Sequence, residues 1–311
     1  MTGPDPRRGS RTRSQRSDLR ERGVIVLLSV LLVVVVAAIG WNLTSSTTGA
    51  RPTPATQVST PPAREHSASD SSRAADHEQL DSSVDTGETV TQYQRALEES
   101  PLYDHPAPRL TACPEPVVVD TREQYEAAVI AQVTCLHQAW SPVLAELGLS
   151  QVRPDVVFFR GSGTDSACGA LDAPAFYCSL EGGTLHFGDG HLEMAREWSH
   201  SINEMVNHEY GHHLQAVAGM TLARTRLGDT VELERRSELQ AICWSAMMTV
   251  HNDAVRLDRA ARAGWQNRLE TMLADERHGT QESLIRWGQR GLDARSIGDC
   301  NTWTVSEKEV A

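Results

Sequence analysis

The stretch His208-Glu209-Tyr210-Gly211-His212 matches the pattern HExxH. Side chains four residues apart lie on one face of a helix, about one turn apart, so both imidazoles can reach a single ion. Imidazole nitrogen is a common ligand of Zn²⁺, and catalytic zinc sites keep one position for water. Glu209 follows the first histidine directly, where its carboxylate faces that water and suits a general base. The pattern predicts a zinc hydrolase site with His208 and His212 as ligands and Glu209 as the catalytic base.

A zinc site of this kind needs a third protein ligand. Glu238 lies on the next predicted helix, which a helix hairpin would bring back over the first one. Glu234 lies one turn earlier on the same face, so the spacing favours Glu238 and leaves Glu234 as the competitor. Glu232 is assigned to helix capping. His213 points about 100° away from His212, which places it behind the ligands or on the surface.

Helices must position these residues. Apolar side chains recur at helical spacing from about 192 to 217, which predicts one long helix that carries the motif. A second helix is predicted to begin near Asp229, with a capping box, and to end at about Met248. Two further helices are predicted at about 252–274 and 281–291.

One helix and two short strands are predicted before the motif. Thr121 is typical of a helix start, and Pro142 should end or kink that helix. Residues 155–159 and 184–187 read as short strands, joined by a loop that holds Cys168 and Cys178. These elements predict an α+β fold that is predominantly helical with a small sheet. A weaker inference is that strand 155–159 forms the cleft edge that receives an extended peptide.

The N-terminal part is predicted to hold an anchor and a tether. Residues 1–23 contain seven arginines and precede an uncharged, apolar stretch within 24–43. As a helix this stretch is long enough to cross a hydrocarbon core of about 30 Å, and the positive-inside rule leaves 1–23 in the cytoplasm and the rest outside. A cleaved signal peptide is the alternative, although its apolar region usually runs about 7–15 residues. Residues 44–92 are rich in Ser, Thr and Pro, which predicts a disordered linker before a folded domain at 93–311.

Charge and cysteine content restrict the partners and the compartment. The net charge is −12, and the basic N-terminus makes the rest of the chain more acidic still. Phosphate backbones repel such a surface, so nucleic acid is excluded as a partner. All six cysteines follow the apolar stretch and none forms a CxxC pair, which suits disulfides outside the cytoplasm and argues against a cysteine zinc site. The sequence gives no indication of the oligomeric state.

Several separate motifs within residues 110–305 resemble a known family, the bacterial neutral zinc metallopeptidases, which are zincin-like. In chain order these motifs are CGA (Cys168–Ala170), FYC (Phe176–Cys178), HEYGHHLQ (His208–Gln215), ELQA-x-C (Glu238–Cys243), HGT (His278–Thr280), RW…RG (Arg286–Gly291) and GDCNTW (Gly298–Trp303). The resemblance implies a zinc metallopeptidase domain in which Glu238 is the third ligand. It also implies two disulfides, Cys168–Cys178 and Cys243–Cys300, which leaves Cys113 and Cys135 as the third pair.

The chain departs from this resemblance at one position. Members of the family usually read ELQAD, whereas this chain has Ile242 in place of the aspartate. A carboxylate there would accept a hydrogen bond from a ligating histidine and fix its tautomer. Loss of such a partner typically costs about 10–100-fold in metal affinity or activity.

Together these features predict a membrane-anchored zinc metalloendopeptidase with one Zn²⁺ per chain. It would hydrolyse peptide bonds of a protein or peptide substrate outside the cytoplasm, through a zinc-bound water activated by Glu209. A donor to the oxyanion is also required, and His278 and Tyr177 are the candidates. One alternative is a catalytically weak or inactive zincin-fold interaction or regulatory protein, which Ile242 would favour. Another is a zinc amidase that acts on cell-wall amides.

Overall fold

Helices make up most of the chain that the structure describes, which is residues 86–311 of a computed structural model. The α-helices in chain order are α1 (Thr86–Glu98), α2 (Arg122–Glu146), α3 (Asp189–Glu197), α4 (Ser201–Val217), α5 (Met220–Arg226), α6 (Val231–Val250), α7 (Arg259–Thr271) and α8 (Gln281–Asp293). The strands are β1 (Asp155–Phe158), β2 (Thr164–Ser166), β3 (Gly169–Leu171), β4 (Ala175–Cys178) and β5 (Thr184–Phe187). The prediction of a predominantly helical α+β fold with a small sheet is confirmed.

The predicted membrane helix at 24–43 and the predicted tail at 1–23 lie outside the described residues. Among the residues that are described, no helix is both long enough and apolar enough to cross a membrane. Helix α1 begins at Thr86, which is inside the predicted linker 44–92. It packs against α5 and buries Leu97 in the core. The sequence pattern conceals this helix because most of its other side chains are polar and exposed.

Three strands form the main sheet, in the order β1-β5-β4. Strands β1 and β5 run parallel with Val156 opposite Leu185, and β4 runs antiparallel to β5 with Tyr177 opposite Leu185. The strands predicted at 155–159 and 184–187 are confirmed as β1 and β5. The predicted loop between them instead contains the edge strand β4 and a separate β2–β3 hairpin. Strands β2 and β3 have three residues each and lack the apolar run that marks β1.

Helix α2 continues through Pro142 to Glu146, so the prediction that this proline ends the helix is wrong. The helix begins after Thr121, which forms the capping box expected of such a start. Trp140 and Leu144 lie on either side of Pro142 and are fully buried. A proline inside a helix costs about 3 kcal/mol, whereas each of these buried side chains contributes about 1.5–3 kcal/mol. Core packing therefore holds the helix together across the proline.

The single long helix predicted at about 192–217 is in fact two helices, α3 and α4. Trp198 lies between them with an extended backbone, at φ −138° and ψ 122°. Its ring packs edge-on against Trp265 of α7, with the ring centroids 5.5 Å apart. The apolar periodicity continues across this break, which is why the sequence pattern does not reveal it.

Helices α4 and α6 pack against each other in antiparallel directions. Gln215 Nε2 donates to Ser237 O at 2.9 Å. One turn away, Gly211 lies so close to Ala241 that a methyl group at position 211 would be 3.4 Å from the Ala241 Cα. A side chain larger than a methyl group at Gly211 would force the two helices apart.

The start of α6 differs slightly from the predicted one. The helix begins at Val231, and Thr230 caps it by accepting a hydrogen bond from the backbone N–H of Leu233. Glu232 does not cap the helix, because its carboxylate pairs with Arg236 at 2.8 Å.

All six cysteines are paired in disulfides, as the sequence predicts. The pairs and their Cα–Cα distances are Cys113–Cys135 (4.9 Å), Cys168–Cys178 (5.7 Å) and Cys243–Cys300 (5.6 Å). The second pair joins the β2–β3 hairpin to β4, and the third joins α6 to a short 3-10 helix, Ile297–Cys300. These are also the pairs that the family resemblance implies.

A fully buried histidine, His191 of α3, links α2 to the start of α4. Its Nε2 donates to Ser201 O at 3.2 Å, and its Nδ1 lies 2.9 Å from the hydroxyl of Tyr125. Because Ser201 O can only accept, the neutral ring carries its proton on Nε2 and Nδ1 accepts from Tyr125. Burial lowers the pKa of His191 to about 4.

We expect His191 to make the fold less stable in mild acid. Its pKa is about 4 in the folded state, against an ordinary histidine value of 6.5, so the unfolded chain takes up a proton first as the pH falls. Between pH 7 and 4.5 this should remove about 2–3 kcal/mol from the free energy of unfolding. Urea unfolding at both pH values, for the wild type and for His191→Gln, measures the contribution. Equal pH dependence in the two proteins would contradict this assignment.

Candidate metal centre

Three donor atoms from α4 and α6 meet at one point. The Nε2 atoms of His208 and His212 are 3.1 Å apart, and each lies 3.3 Å from Glu238 Oε2. Within residues 86–311 this is the one group of His, Cys, Asp or Glu side chains whose donor atoms are close enough to hold a metal ion. The structure therefore brings together the three residues that the sequence and the resemblance select as ligands.

The size of this triangle fits three ligands of a tetrahedral zinc ion. Zinc binds imidazole nitrogen and carboxylate oxygen at about 2.0–2.2 Å, which makes the edge of the ligand tetrahedron about 3.3–3.6 Å long. The observed edges of 3.1 and 3.3 Å are at or slightly below this length. Two imidazoles and one carboxylate are also a donor set typical of catalytic zinc, since they leave the fourth position for water or substrate. The residues present fit the ion.

The protonation of the donor side chains depends on the charges of their neighbours in the triangle. Burial alone would lower the pKa of His212, but Glu238, Glu209 and Gln215 raise it to about 9. Burial alone would raise the pKa of Glu238, but the imidazoles of His212 and His208 hold it well below 4.5. A proton on His212 therefore compensates the buried carboxylate, and a metal ion would have to displace that proton.

The outer nitrogen of His212 is held by a buried amide. His212 Nδ1 lies 2.9 Å from Gln215 Oε1, and that oxygen also accepts from Ser237 Oγ at 2.8 Å. The amide nitrogen of Gln215 donates to Ser237 O at 2.9 Å and to Gln240 Oε1 at 3.0 Å. Because these bonds fix Oε1 as an acceptor, His212 Nδ1 carries the proton and its Nε2 is free to bind a cation.

The outer nitrogen of His208 has no such partner. Among the described residues, none forms a hydrogen bond with His208 Nδ1, which is buried. Ile242 lies on α6 one turn after Glu238, which contacts both imidazoles, and one turn before Ser245, whose hydroxyl donates to Glu204 O at 2.6 Å. Ile242 is itself buried and cannot accept a proton. The resemblance leads us to expect a hydrogen-bond acceptor at position 242, where this chain has Ile242. Gln215 supplies an acceptor for His212 Nδ1. Among the described residues, none supplies one for His208 Nδ1.

Glu209 lies on the same helix as the two histidines and lines the same cleft. The side chain is almost completely buried. Burial raises the pKa of Glu209, and the nearby imidazoles of His208 and His212 act in the opposite direction. A buried carboxylate with a raised pKa is a stronger base than an exposed one, which is the property that proton transfer requires.

His213 is buried, so the alternative that it lies on the surface is wrong. Its Nδ1 lies 3.2 Å from the hydroxyl of Tyr177, a residue of the edge strand β4. Burial lowers the pKa of His213 to about 4, so the ring is neutral at pH 7. Burial also raises the pKa of Tyr177 to about 12. This contact fixes β4 across α4 beside the metal centre.

Glu234, the alternative candidate for the third ligand, forms an ion pair with Arg277. Its Oε1 lies 3.3 Å from Arg277 Nη1, and it is not part of the triangle. The segment after Arg277 is thereby held next to α6, and His278 reaches the cleft.

His278 is oriented by a nearby carboxylate. Asp275 Oδ1 lies 2.8 Å from His278 Nδ1 and also accepts from the backbone N–H groups of Arg277 and His278. These hydrogen bonds, opposed by burial, hold the pKa of Asp275 below its usual value. Among the described residues, none forms a hydrogen bond to His278 Nε2, which is therefore available to a ligand in the cleft.

The cleft that contains these side chains has a volume of about 500 Å³. Its lining comprises Cys168, Leu171, Asp172, Ala173, Ala175, Phe176, Tyr177, Ser179, His208, Glu209, His212, Gln215, Thr221, Arg224, Glu234, Ser237, Glu238, Arg277 and His278. Strand β4, an edge of the sheet, lines the cleft, whereas β1 lies at the opposite edge. The inference that strand 155–159 forms the cleft edge is therefore wrong. Tyr177 and His278, the two candidate oxyanion donors, both line the cleft.

Sequence patterns do not identify several residues that line the cleft or orient its histidines. Gln215 follows His212 by three residues, and Asp275 precedes His278 by three, so both spacings could have suggested a hydrogen bond within a helix or turn. Leu171 and the hairpin that carries it have no sequence signal that connects them with the motif.

No family model, no curated protein and no solved structure matches this chain.

We expect Ile242→Asp to strengthen metal binding, because its carboxylate would accept the proton of His208 Nδ1. Partners of this kind are typically worth about 10–100-fold in metal affinity. Competition with a chromophoric chelator at pH 7 measures the zinc dissociation constant, and Ile242→Val is the matched control because it adds no acceptor. If Ile242→Asp binds zinc no more tightly than Ile242→Val, the unpartnered nitrogen does not limit affinity.

Proposed function

We propose that this chain is a zinc-dependent metalloendopeptidase of the zincin-like type. The observation that carries the proposal is the triangle of His208, His212 and Glu238 donors, with the buried Glu209 in the same cleft. When bound by these three side chains, zinc would act as a Lewis acid towards the scissile carbonyl and lower the pKa of the attacking water.

Glu209 has the position and the basicity for proton transfer. Its burial raises the pKa of the carboxyl group, so the carboxylate accepts a proton from the attacking water more readily. The protonated carboxyl group then gives this proton to the amine that leaves when the peptide bond breaks. One proton is taken up and returned, so Glu209 is regenerated.

His278 is the better of the two candidates for stabilising the oxyanion. In its imidazolium form both ring nitrogens donate: Nδ1–H is held by Asp275, and Nε2–H is left for the oxyanion. Tyr177 is less suited because its hydroxyl group is already shared with the buried His213. Tyr177 instead contributes by fixing β4 over α4.

The shape of the cleft supports an extended substrate. Strand β4 is an edge strand, so its outer backbone N–H and C=O groups are not used by the sheet. An extended peptide that pairs with such an edge presents its backbone to the neighbouring side chains in a defined register. A protein or peptide substrate bound in this way would place one peptide bond over the metal centre.

The compartment follows from the disulfides. Three disulfides in a chain of this size support a location outside the cytoplasm. The membrane anchor at 24–43, with the cytoplasmic tail at 1–23, is proposed from the sequence pattern alone.

A second candidate function has one observation in its favour. His208 Nδ1 is buried without a partner, which would weaken metal binding. A chain that binds zinc weakly could use the same cleft to hold a partner protein without cleaving it. Nothing in the cleft favours the third candidate, a zinc amidase acting on cell-wall amides.

We expect Glu209→Gln to abolish hydrolysis while the protein still binds zinc. Removal of the general base should lower kcat at least about 100-fold. Zinc content and hydrolysis of a fluorogenic peptide, measured on the same preparations, separate binding from chemistry. Glu197→Gln is the matched control, since it changes an exposed carboxylate that does not line the cleft. Full activity of Glu209→Gln would disprove the mechanism, and a wild type that binds zinc but cleaves no peptide would favour the second candidate.

The oxyanion role of His278 is tested separately. His278→Ala should lower kcat about 100–1000-fold, the usual effect of losing one oxyanion donor, with zinc content unchanged. Asp275→Asn should lower kcat less than His278→Ala does, because it removes only the carboxylate that orients the imidazole ring. Tyr177→Phe is the comparison variant. A larger loss of kcat in Tyr177→Phe than in His278→Ala would assign the role to the tyrosine.

A further inference from the structure

The β2–β3 hairpin stands apart from the core. Its strands pair only with each other, with Thr164 opposite Leu171 and Ser166 opposite Gly169. No residue from 161 to 174 is buried, so the hairpin contributes no side chain to the core. An isolated two-stranded hairpin is at best marginally stable in water. Something other than core packing must therefore hold it in place.

A disulfide and a close backbone contact provide this support. Cys168 in the hairpin turn is bonded to Cys178, the last residue of the edge strand β4, and Cys178 is buried. At the base of the hairpin, Gly163 lies against the backbone of Leu171, where a Cβ atom would be 2.3 Å from the Leu171 oxygen. The hairpin is thus fixed at its tip and closed at its base.

The hairpin forms one wall of the cleft. Cys168, Leu171 and Asp172 line the same space as the metal centre. Leu171 remains 38% exposed and lines the cleft, so its side chain is able to contact a bound molecule. The small residues Ala173 and Ala175 continue the apolar surface along the same wall.

The part of the cleft that α5, α6 and the segment of Arg277 contribute is charged. Arg224, Glu234 and Arg277 line it, and each is engaged in an ion pair, with Glu234 and Arg277 pairing with each other. Leu171, Ala173 and Ala175 provide apolar lining on the hairpin and the start of β4. An apolar side chain of a substrate is therefore favoured beside Leu171.

We infer that the β2–β3 hairpin is a substrate-binding flap, in which Leu171 selects an apolar side chain next to the scissile bond. The Cys168–Cys178 disulfide is a positioning element that holds Leu171 over the cleft. This inference rests on the proposed peptidase function, whose substrate class it narrows to extended segments with an apolar residue beside the cleaved bond.

The first test compares two exposed leucines. Leu171→Ser removes the leucine of the flap, and Leu180→Ser removes a leucine that is 53% exposed but does not line the cleft. Each is made in the full chain with zinc bound, and kcat/KM is measured on paired synthetic peptides that carry Leu or Ser beside the cleaved bond. We expect Leu171→Ser to lower kcat/KM for the Leu peptide about tenfold and to leave the Ser peptide nearly unchanged. Leu180→Ser should change neither.

Binding without cleavage separates failure of this inference from failure of the proposed function. The same fluorescent peptides are titrated against the zinc-loaded Glu209→Gln variant, with and without Leu171→Ser. If the Leu peptide binds more tightly than the Ser peptide only when Leu171 is present, the flap is supported, even if the wild type cleaves neither peptide. If the wild type cleaves peptides but Leu171→Ser behaves like Leu180→Ser in both assays, the flap is overturned and the peptidase function stands.

The disulfide is tested by its effect on KM. Cys168→Ser/Cys178→Ser should raise KM for the Leu peptide several-fold, with zinc content and kcat retained, because the flap is no longer held. Cys113→Ser/Cys135→Ser removes a disulfide that is not joined to the hairpin and serves as the control. Circular dichroism confirms that both variants are folded. An equal change of KM in the two variants would show that the Cys168–Cys178 bond has no positioning role.

Discussion

The close antiparallel packing of α4 on α6 is the constraint on which the site depends. His208 and His212 lie on one helix and Glu238 on the other, so the distances from the Glu238 carboxylate to the two imidazoles are set by how near the helix axes come. Gly211 faces Ala241 so closely that a methyl group at position 211 would be in contact with the second helix. The two 3.3 Å edges of the donor triangle cross between the helices and depend on this spacing, whereas the 3.1 Å edge joins two histidines one turn apart on α4. A looser pair of helices would hold the same residues too far apart to share an ion.

The burial of these side chains changes their pKa values. Glu209 and Glu238 are two carboxylates in one buried site, and both raise the pKa of His212 against the effect of burial. Without a cation, such a cluster can only be neutralised by protons, and these occupy the nitrogens that a metal ion would use. Gln215 fixes the tautomer of His212 by accepting a hydrogen bond from its Nδ1. At the other histidine no residue does so, which leaves the centre asymmetric.

Much of this arrangement could be predicted because its signals are local. The HExxH spacing identifies His208 and His212, the spacing on the next helix favours Glu238 over Glu234, and short runs bounded by proline and glycine indicate β1 and β5. The break at Trp198 could not be predicted, since it depends on a ring contact with Trp265 that is distant in sequence. The same is true of β4 and the hairpin, whose short strands are placed by a sheet edge and a disulfide. The distinction between Glu238 and Glu234 also required the structure, because only the pairing with Arg277 removes Glu234 from consideration.

The Cys243–Cys300 disulfide has a consequence for how the ion is exchanged. Cys243 lies on α6, little more than one turn after Glu238, and it ties this helix to the C-terminal part of the domain. In small zinc domains the ion supplies the folding free energy, and chelation unfolds the chain. Here the ligand-bearing helix is held by a covalent bond and by a core that includes the fully buried Trp244 and Trp287. Under the proposed function, a chelator would therefore empty the site and leave the domain folded, so zinc supply would set how many molecules are active and not how long each one survives.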